Sequence, residues 1–284
     1  MSRLSGSSLG KAQAKAGARV FVHGSDKARI PPALFRALSP VTVVCGHYGV
    51  GKTNFAVNLA SDLARAGNKV TLADFDVVNP YFRATEQRVL LEAAGVRLIA
   101  PVFAERGSSL DSPSLRGTVV PAIEAARADA AGQTHVIIDA GGDDAGATAL
   151  GRFADAVSAG GYAMLYVVNR MRNQTHDAAC ALEILREIEQ ASHLAATAIV
   201  DNTHLRNETT SSVLASSAGF CRDICSGSGL PLVCKTYPTR RAGAPYAGEE
   251  AHGAPPEVVS AFAENGFASD VFYPMEVIVK SPWE

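Results

Sequence analysis

The segment Gly46-His47-Tyr48-Gly49-Val50-Gly51-Lys52-Thr53 constrains this chain more than any other. Its glycines let backbone N–H groups close around an anion that side chains would hold at a distance. Lys52 and Thr53 follow directly, a pairing that sets a cation against β- and γ-phosphates and a hydroxyl toward Mg2+. Immediately before the loop, Val41-Thr42-Val43-Val44-Cys45 reads as a buried strand. Immediately after it, Phe55, Leu59 and Leu63 recur at helical spacing, and Gly67 supplies the stop. A helix opening at this point aims its first N–H groups and its partial positive charge at the phosphates. The expectation is that ATP or ADP seats on residues 46–53 and Asn54, with Lys52 as a catalytic cation and Thr53 as a Mg2+ ligand.

From Val41 onward, short β-branched runs alternate with Ala- and Leu-rich amphipathic stretches, as in βαβ units around a parallel sheet. The strands read from the sequence are Val41-Cys45, Lys69-Ala73, Arg97-Ile99, His135-Asp139, Ala163-Val168, Ala196-Val200 and Leu232-Thr236. A helix over Asp177 to Gln190 places Leu182, Leu185 and Ile188 on one side and Glu183 and Glu187 elsewhere. The predicted fold is therefore α/β, a three-layer P-loop NTPase domain with a mostly parallel sheet of about seven strands. Residues 1–18 read as a flexible tail, and 19–284 as a single domain with its nucleotide-binding core at about 41–236. Arg19 to Gly24 suggests a short extra strand, and Ala33 to Leu38, after two prolines, a short helix. Residues 242–256 read as a loop before a helix around Val258 to Asn265. The alternating apolar residues of Tyr273 to Val279 suggest an edge strand or a docking segment.

Composition excludes several function classes. A net charge of -2 offers no electrostatic basis for nucleic-acid or anionic-membrane binding. Five cysteines, an odd number, do not make a secreted disulfide framework, and reduced thiols are the simpler expectation. No apolar run approaches the roughly 20 residues that span a bilayer, so the expected location is cytoplasmic.

Two further strands end in acids. In Thr71-Leu72-Ala73-Asp74-Phe75-Asp76, strand alternation can turn both carboxylates to one side and Phe75 to the other. Acids so placed can hold Mg2+-bound water or orient a hydrolytic water, or can simply be solvated at a strand end. In Val136-Ile137-Ile138-Asp139-Ala140-Gly141-Gly142, an apolar strand delivers Asp139 toward a Mg2+ shell. Its glycines let the backbone respond to a γ-phosphate, and Asp143-Asp144-Ala145-Gly146 continues as a candidate switch. A helix N-cap acid after a core strand is the alternative for Asp139.

Strand, phosphate loop, Asp-x-Asp and Asp-x-x-Gly in this order resemble the deviant-Walker-A ATPases, the MinD/ParA/CobQ group of the SIMIBI class, over about Val41 to Thr236. The loop Gly46-His47-Tyr48-Gly49, with Asn54-Phe55-Ala56-Val57-Asn58 and Val78-Asn79-Pro80-Tyr81-Phe82-Arg83, is similar to a bacterial branch with a GHYGxGKTN loop. The resemblance implies that Asp76 helps activate water, that Asp74 supports the Mg2+ site and that Asp139 is the Walker B acid. It also implies an Asn near the adenine, for which Asn202 is the best match and Asn169 the second. Its further implication is a slow ATPase that switches between states read by a protein partner, with a possible homodimer. Many members carry a lysine where His47 stands, and Tyr48 replaces the adjacent glycine, so the lysine-based dimer mechanism does not carry over. His47 could donate to phosphate or bond within the loop, but it lacks a lysine's constant charge near neutrality. Two other outcomes remain for such a chain: a synthetase activating a carboxylate, with Asp111-Ser112-Pro113 and Asp143-Asp144 as candidate substrate contacts, and an ATP-gated scaffold or positioning protein.

Among weaker signals, Cys221 and Cys225 stand four apart on an expected helix and could share a metal, although helical core or surface cysteines are the plainer reading. His176, His193 and His204 show no partner at metal-ligand spacing in the sequence. Asn79 to Arg83 reads either as a switch segment or as a turn with an aromatic anchor.

Overall fold

The computed structural model describes residues 29–75, 87–100, 113–142, 144–239 and 253–279; the side chains of 113–116 and 144–145 lie outside that description. The elements in chain order are α1 (Pro32–Ala37), β1 (Val41–Cys45), α2 (Lys52–Arg65), β2 (Lys69–Phe75), α3 (Arg88–Ala93), β3 (Val96–Ile99), α4 (Pro113–Ala128), β4 (Thr134–Ala140) and α5 (Asp144–Gly151). They continue with α6 (Ala154–Ser158), β5 (Ala163–Val168), α7 (Ala178–Ser192), β6 (Ala198–Asp201), α8 (Ser211–Ala215), α9 (Ala218–Ser228), β7 (Leu232–Thr239), α10 (Pro256–Glu264) and β8 (Phe272–Glu276).

The strands join in one sheet of eight, ordered β3-β2-β4-β1-β5-β6-β7-β8, and each pairing is parallel. Parallel strands need helical crossovers, which cover both faces and leave the strands buried throughout. That is why β1 and β5 carry continuous apolar runs: every residue in both is buried. Alternation then sorts side chains into two cores. Val41, Val43, Cys45, Val136, Ile138 and Tyr166 pack with α4 to α10 on one face. Val44, Leu72, Ile137, Leu165 and Val200 pack with α1, α2 and α3 on the other. The three-layer α/β reading with a sheet of about seven strands holds, eight strands being present among the described residues.

The additional strand is β8, the edge alternative for Tyr273 to Val279. Tyr273 and Met275 point into the core while their neighbours are partly exposed, the period of two that the sequence shows. Two asparagines on α2 tie down the chain that follows. Asn58 donates to the Glu276 carbonyl (2.9 Å) and accepts from the Glu276 N–H (3.0 Å). Asn54 donates to the same carbonyl and accepts from the N–H groups of Ile278 and Val279. Substituting Asn58→Ala should cost about 1–3 kcal/mol, because the Glu276 N–H loses its side-chain acceptor and the Glu276 carbonyl is left to Asn54. Amide exchange over 273–279 should then quicken selectively, and unchanged protection there would show that β8 holds without the asparagine.

The Arg19 to Gly24 strand, the 1–18 tail, most of the 242–256 loop, the Asn79 to Arg83 segment and Asp111-Ser112 lie outside the described residues.

Candidate nucleotide site

The loop after β1 lies at the carboxyl edge of the sheet, with β4 on one side and β5 on the other. Chains diverge from a central strand at such a place, which leaves a crevice for a ligand. The turn into α2 runs through Gly51 in the left-handed region, with φ of 93°. A Cβ at Gly51 would also fall 2.3 Å from the Asn202 amide nitrogen, so glycine is required on both counts.

Lys52 is buried at the start of α2, and its Nζ donates to the His47 carbonyl at 3.1 Å, so the loop wraps its own lysine. Thr53 and Asn54 are buried beside it. The Asn54 side chain, expected near the nucleotide, is committed to residues 276–279, which leaves its backbone as the part at the loop. His47 takes the loop-internal alternative, with Nδ1 donating to the Tyr48 carbonyl at 3.1 Å. Tyr48 stands out from the loop, 52% exposed, beside the exposed Gly49 and the partly exposed His47.

Register brings the acids together. Asp74 pairs with Asp139 across β2 and β4, and Asp139 pairs with Val44 across β4 and β1. All three occupy one row, and alternation turns that row toward the face covered by α2, the helix carrying Lys52 and Thr53. Both carboxylates are fully buried. Phe75 packs on the opposite core, as the alternation predicted. Asp76 and Asp143 lie outside the described residues.

Gly142, three residues past Asp139, brings the chain that leaves β4 against the loop. A Cβ there would lie 2.5 Å from Lys52 Nζ and 2.7 Å from the Tyr48 backbone N. The chain leaving β4 therefore rests directly on the phosphate loop.

On the β6 side, Asn202 is fully buried and donates to the Val50 carbonyl at 2.7 Å, while the Thr236 hydroxyl donates to its side-chain oxygen at 2.6 Å. Asn202 thus braces the loop from a strand two places away. Asn169, the second candidate, closes its own turn by accepting from the Met171 N–H, and donates to the His204 carbonyl.

Sequence reasoning missed the polar core behind these asparagines. Lys235 is fully buried, with Nζ 2.8 Å from Asp201 Oδ2, 3.1 Å from the Thr203 carbonyl and 3.0 Å from the Ser217 hydroxyl. Burial pushes the Asp201 carboxyl up, but the Lys235 ammonium and hydrogen bonds from Lys235, Ser217 and Thr203 outweigh it and hold Asp201 below the usual carboxylate range. His204 is pushed down to about 3 by burial, with the charges of Lys235, Arg172 and Arg206 adding to the effect. It stays neutral, and its Nδ1 accepts from the Arg206 N–H. Buried lysine is rare in composition-based reading, and only the alternation of β7 could have hinted at it.

The cysteine pair resolves as core. Cys221 is fully buried among Ala218 and Ile224, and Cys225 packs partly buried beside it. Burial raises both thiols, Cys225 to about 11. All five cysteines are free. Among the histidines, His176 departs from the sequence reading, since folding brings it to Asp177 and Cys180.

Among solved structures, the chain is similar to the signal recognition particle 54 kDa protein of Aeropyrum pernix in complex with GDP, at 17% identity, 68% of this chain, 40% of that one and a TM-score of 0.46. It is also similar to the cell division protein FtsY of Thermotoga maritima, at 21% identity, 74% of this chain, 64% of that one and a TM-score of 0.43. A curated relative, an iron-sulfur cluster carrier protein of Deinococcus radiodurans, is 40% identical over 87 residues, which span 26% of this chain and 25% of that protein. No helix among the described residues is long and apolar enough to cross a membrane. The family model of the CobQ/CobB/MinD/ParA nucleotide binding domain matches residues 41–210, the stretch holding the phosphate loop, both acidic strands and Asn202. With more than half its length matched and its sheet, loop and acids in one arrangement, the chain belongs to the CobQ/CobB/MinD/ParA nucleotide-binding family.

Proposed function

We propose that this protein is a slow Mg2+-dependent ATPase whose bound nucleotide switches it between conformations read by a protein partner. The observation that carries the reading is the seat of Gly142 on Lys52 and Tyr48. A segment in contact with the loop lysine must respond when a γ-phosphate draws that lysine away from the His47 carbonyl. Lys52 and the loop N–H groups at Gly46, His47, Tyr48, Gly49, Val50 and Gly51 take the phosphate charge. Thr53, Asp74 and Asp139 offer only hard oxygen donors, a set that fits Mg2+. When bound, Mg2+ would neutralise charge on the β- and γ-phosphates. Asp76 orients the attacking water, and Asn202 joins the base end of the site to the loop through the Val50 carbonyl.

In an assay of phosphate release, Asp76→Ala is expected to keep nucleotide affinity within about threefold while losing about 100-fold or more in turnover. EDTA should silence the wild-type protein. Hydrolysis by the variant at the wild-type rate would remove Asp76 from this role. Solution mass with ADP and with a nonhydrolysable ATP analogue tests the switch: a nucleotide-dependent change in assembly or partner capture supports it. Transfer of phosphate to a small carboxylate instead of water would replace the switch with a synthetase.

A further inference from the structure

The loop from β5 to α7 leaves the same carboxyl edge as the phosphate loop and is built from its own hydrogen bonds. The Thr175 hydroxyl donates to the Asn169 carbonyl at 2.6 Å, and the Arg172 N–H donates to the same oxygen at 3.1 Å. The loop ends at Asp177, the N-cap of α7, whose Oδ1 accepts from the Cys180 N–H at 2.8 Å. His176, Asp177 and Cys180 each bring one ligand atom to this corner, all within 4.8 Å of one another.

The hydrogen bonding of His176 makes this more than proximity. Its Nδ1 lies 2.6 Å from the Asn173 carbonyl oxygen, which can only accept, so Nδ1 carries the proton. In the neutral ring, Nε2 therefore presents a lone pair, and it faces Asp177 Oδ2 at 3.1 Å. Two lone pairs at that distance repel unless a cation lies between them. A backbone carbonyl fixing one ring nitrogen while the other is turned outward is the arrangement found behind metal-bound histidines. The cap bond likewise fixes one carboxylate oxygen of Asp177 and leaves Oδ2 toward the histidine.

We propose that His176 Nε2, Asp177 Oδ2 and Cys180 Sγ form a divalent transition-metal site of the zinc type. One nitrogen, one oxygen and one sulfur suit a borderline-soft ion and do not suit Mg2+ or Ca2+. Ligand atoms around tetrahedral zinc stand roughly 3.3–3.5 Å apart, given bonds of about 2.0 Å to N and O and about 2.3 Å to S, so atoms that now lie within 4.8 Å of one another close by up to about 1.5 Å. Three protein ligands leave a fourth position for water or a partner's donor. A thiolate is the ligand form of Cys180, so binding of the metal releases the thiol proton and strengthens with pH. The site uses none of the residues assigned to the nucleotide, and its success or failure is independent of the proposed ATPase.

The test uses the full chain stripped of metal, titrated with Zn2+ against a chromophoric chelator and, separately, with Co2+. One ion per chain should bind, and Co2+ should give a sulfur-to-metal charge-transfer band. His176→Ala and Cys180→Ser should each weaken Zn2+ at least about tenfold, and Cys180→Ser should abolish the band. Asp177→Asn keeps a competent N-cap, so its loss of affinity with an unchanged melting temperature reports ligation and not helix stability. Cys225→Ser is the control and should bind like wild type. Zn2+ affinity unaltered in both His176→Ala and Cys180→Ser, or no stoichiometric binding at micromolar Zn2+, overturns the site and leaves a proton as the cation between the two side chains.

Discussion

Gly142→Ala is expected to weaken ATP binding by about tenfold to a hundredfold, which corresponds to roughly 1.4–2.7 kcal/mol. The added methyl would meet Lys52 Nζ at 2.5 Å and the Tyr48 backbone N at 2.7 Å. The lysine terminus can swing aside, although that moves the charge meant for phosphate. The Tyr48 backbone cannot yield without shifting the loop, and overpacking of this kind typically costs about 1–3 kcal/mol. Gly142 does not occupy the left-handed region, so alanine brings no backbone strain and the close approach is isolated. Gly117→Ala is the matched control, because a Cβ at that exposed helical position meets nothing within 4 Å. It should bind nucleotide normally and gain up to about 1 kcal/mol in stability. Titration with a fluorescent ATP analogue reads the first effect and urea denaturation the second. Equal affinity in Gly142→Ala and wild type would mean that the β4 segment does not bear on the loop, and the switch argument would fall with it.

Lys235→Ala should produce the largest loss of stability, about 3–5 kcal/mol, a large share of the roughly 5–15 kcal/mol that holds a domain folded. The substitution strands the Asp201 carboxylate where it is fully buried, left with neutral donors such as the Ser217 hydroxyl, the Thr203 N–H and the Cys221 thiol. It also removes a cation lying 5.5 Å from the centre of the Phe262 ring. The double variant Lys235→Met with Asp201→Asn should recover more than half of the loss, since no buried charge remains uncompensated. Urea midpoints of the wild type, the single and the double variant decide this. If the double variant is no more stable than Lys235→Ala, the harm comes from lost packing and not from an unpaired charge. Asp201 ends β6 directly before Asn202, so a destabilised Lys235→Ala should also bind nucleotide less well at temperatures where it is still folded.

The legible part of this protein was its local chemistry. Strand β1, the glycine loop and α2 are contiguous, and each announces itself by periodicity or by a turn requirement within a few residues. The same holds for Asp139 at the end of an apolar strand and for the helix α7. Where the reading was incomplete, the deciding contact was distant. Asn54 lies two residues past the loop lysine, where the sequence suggests a nucleotide contact, yet its carboxamide reaches residues 222 to 225 positions away. Lys235 sits in an otherwise apolar run, and nothing nearby in sequence marks Asp201 as its partner. His176, Asp177 and Cys180 are close in sequence, but their meeting depends on the turn that swings the imidazole back over the helix cap, which spacing alone does not show.

The sequence by itself therefore determined the class of fold, the phosphate loop and the order of its acidic strands, because these follow from alternation, helical period and the conformational freedom of glycine. The tertiary structure decided which residues touch that loop. Gly142 reaches Lys52 only because β4 inserts between β2 and β1, and Asn202 reaches Val50, 152 residues earlier, only because β6 lies two strands from β1. Strand order and register are collective outcomes of burying two apolar faces at once, and no local pattern encodes them.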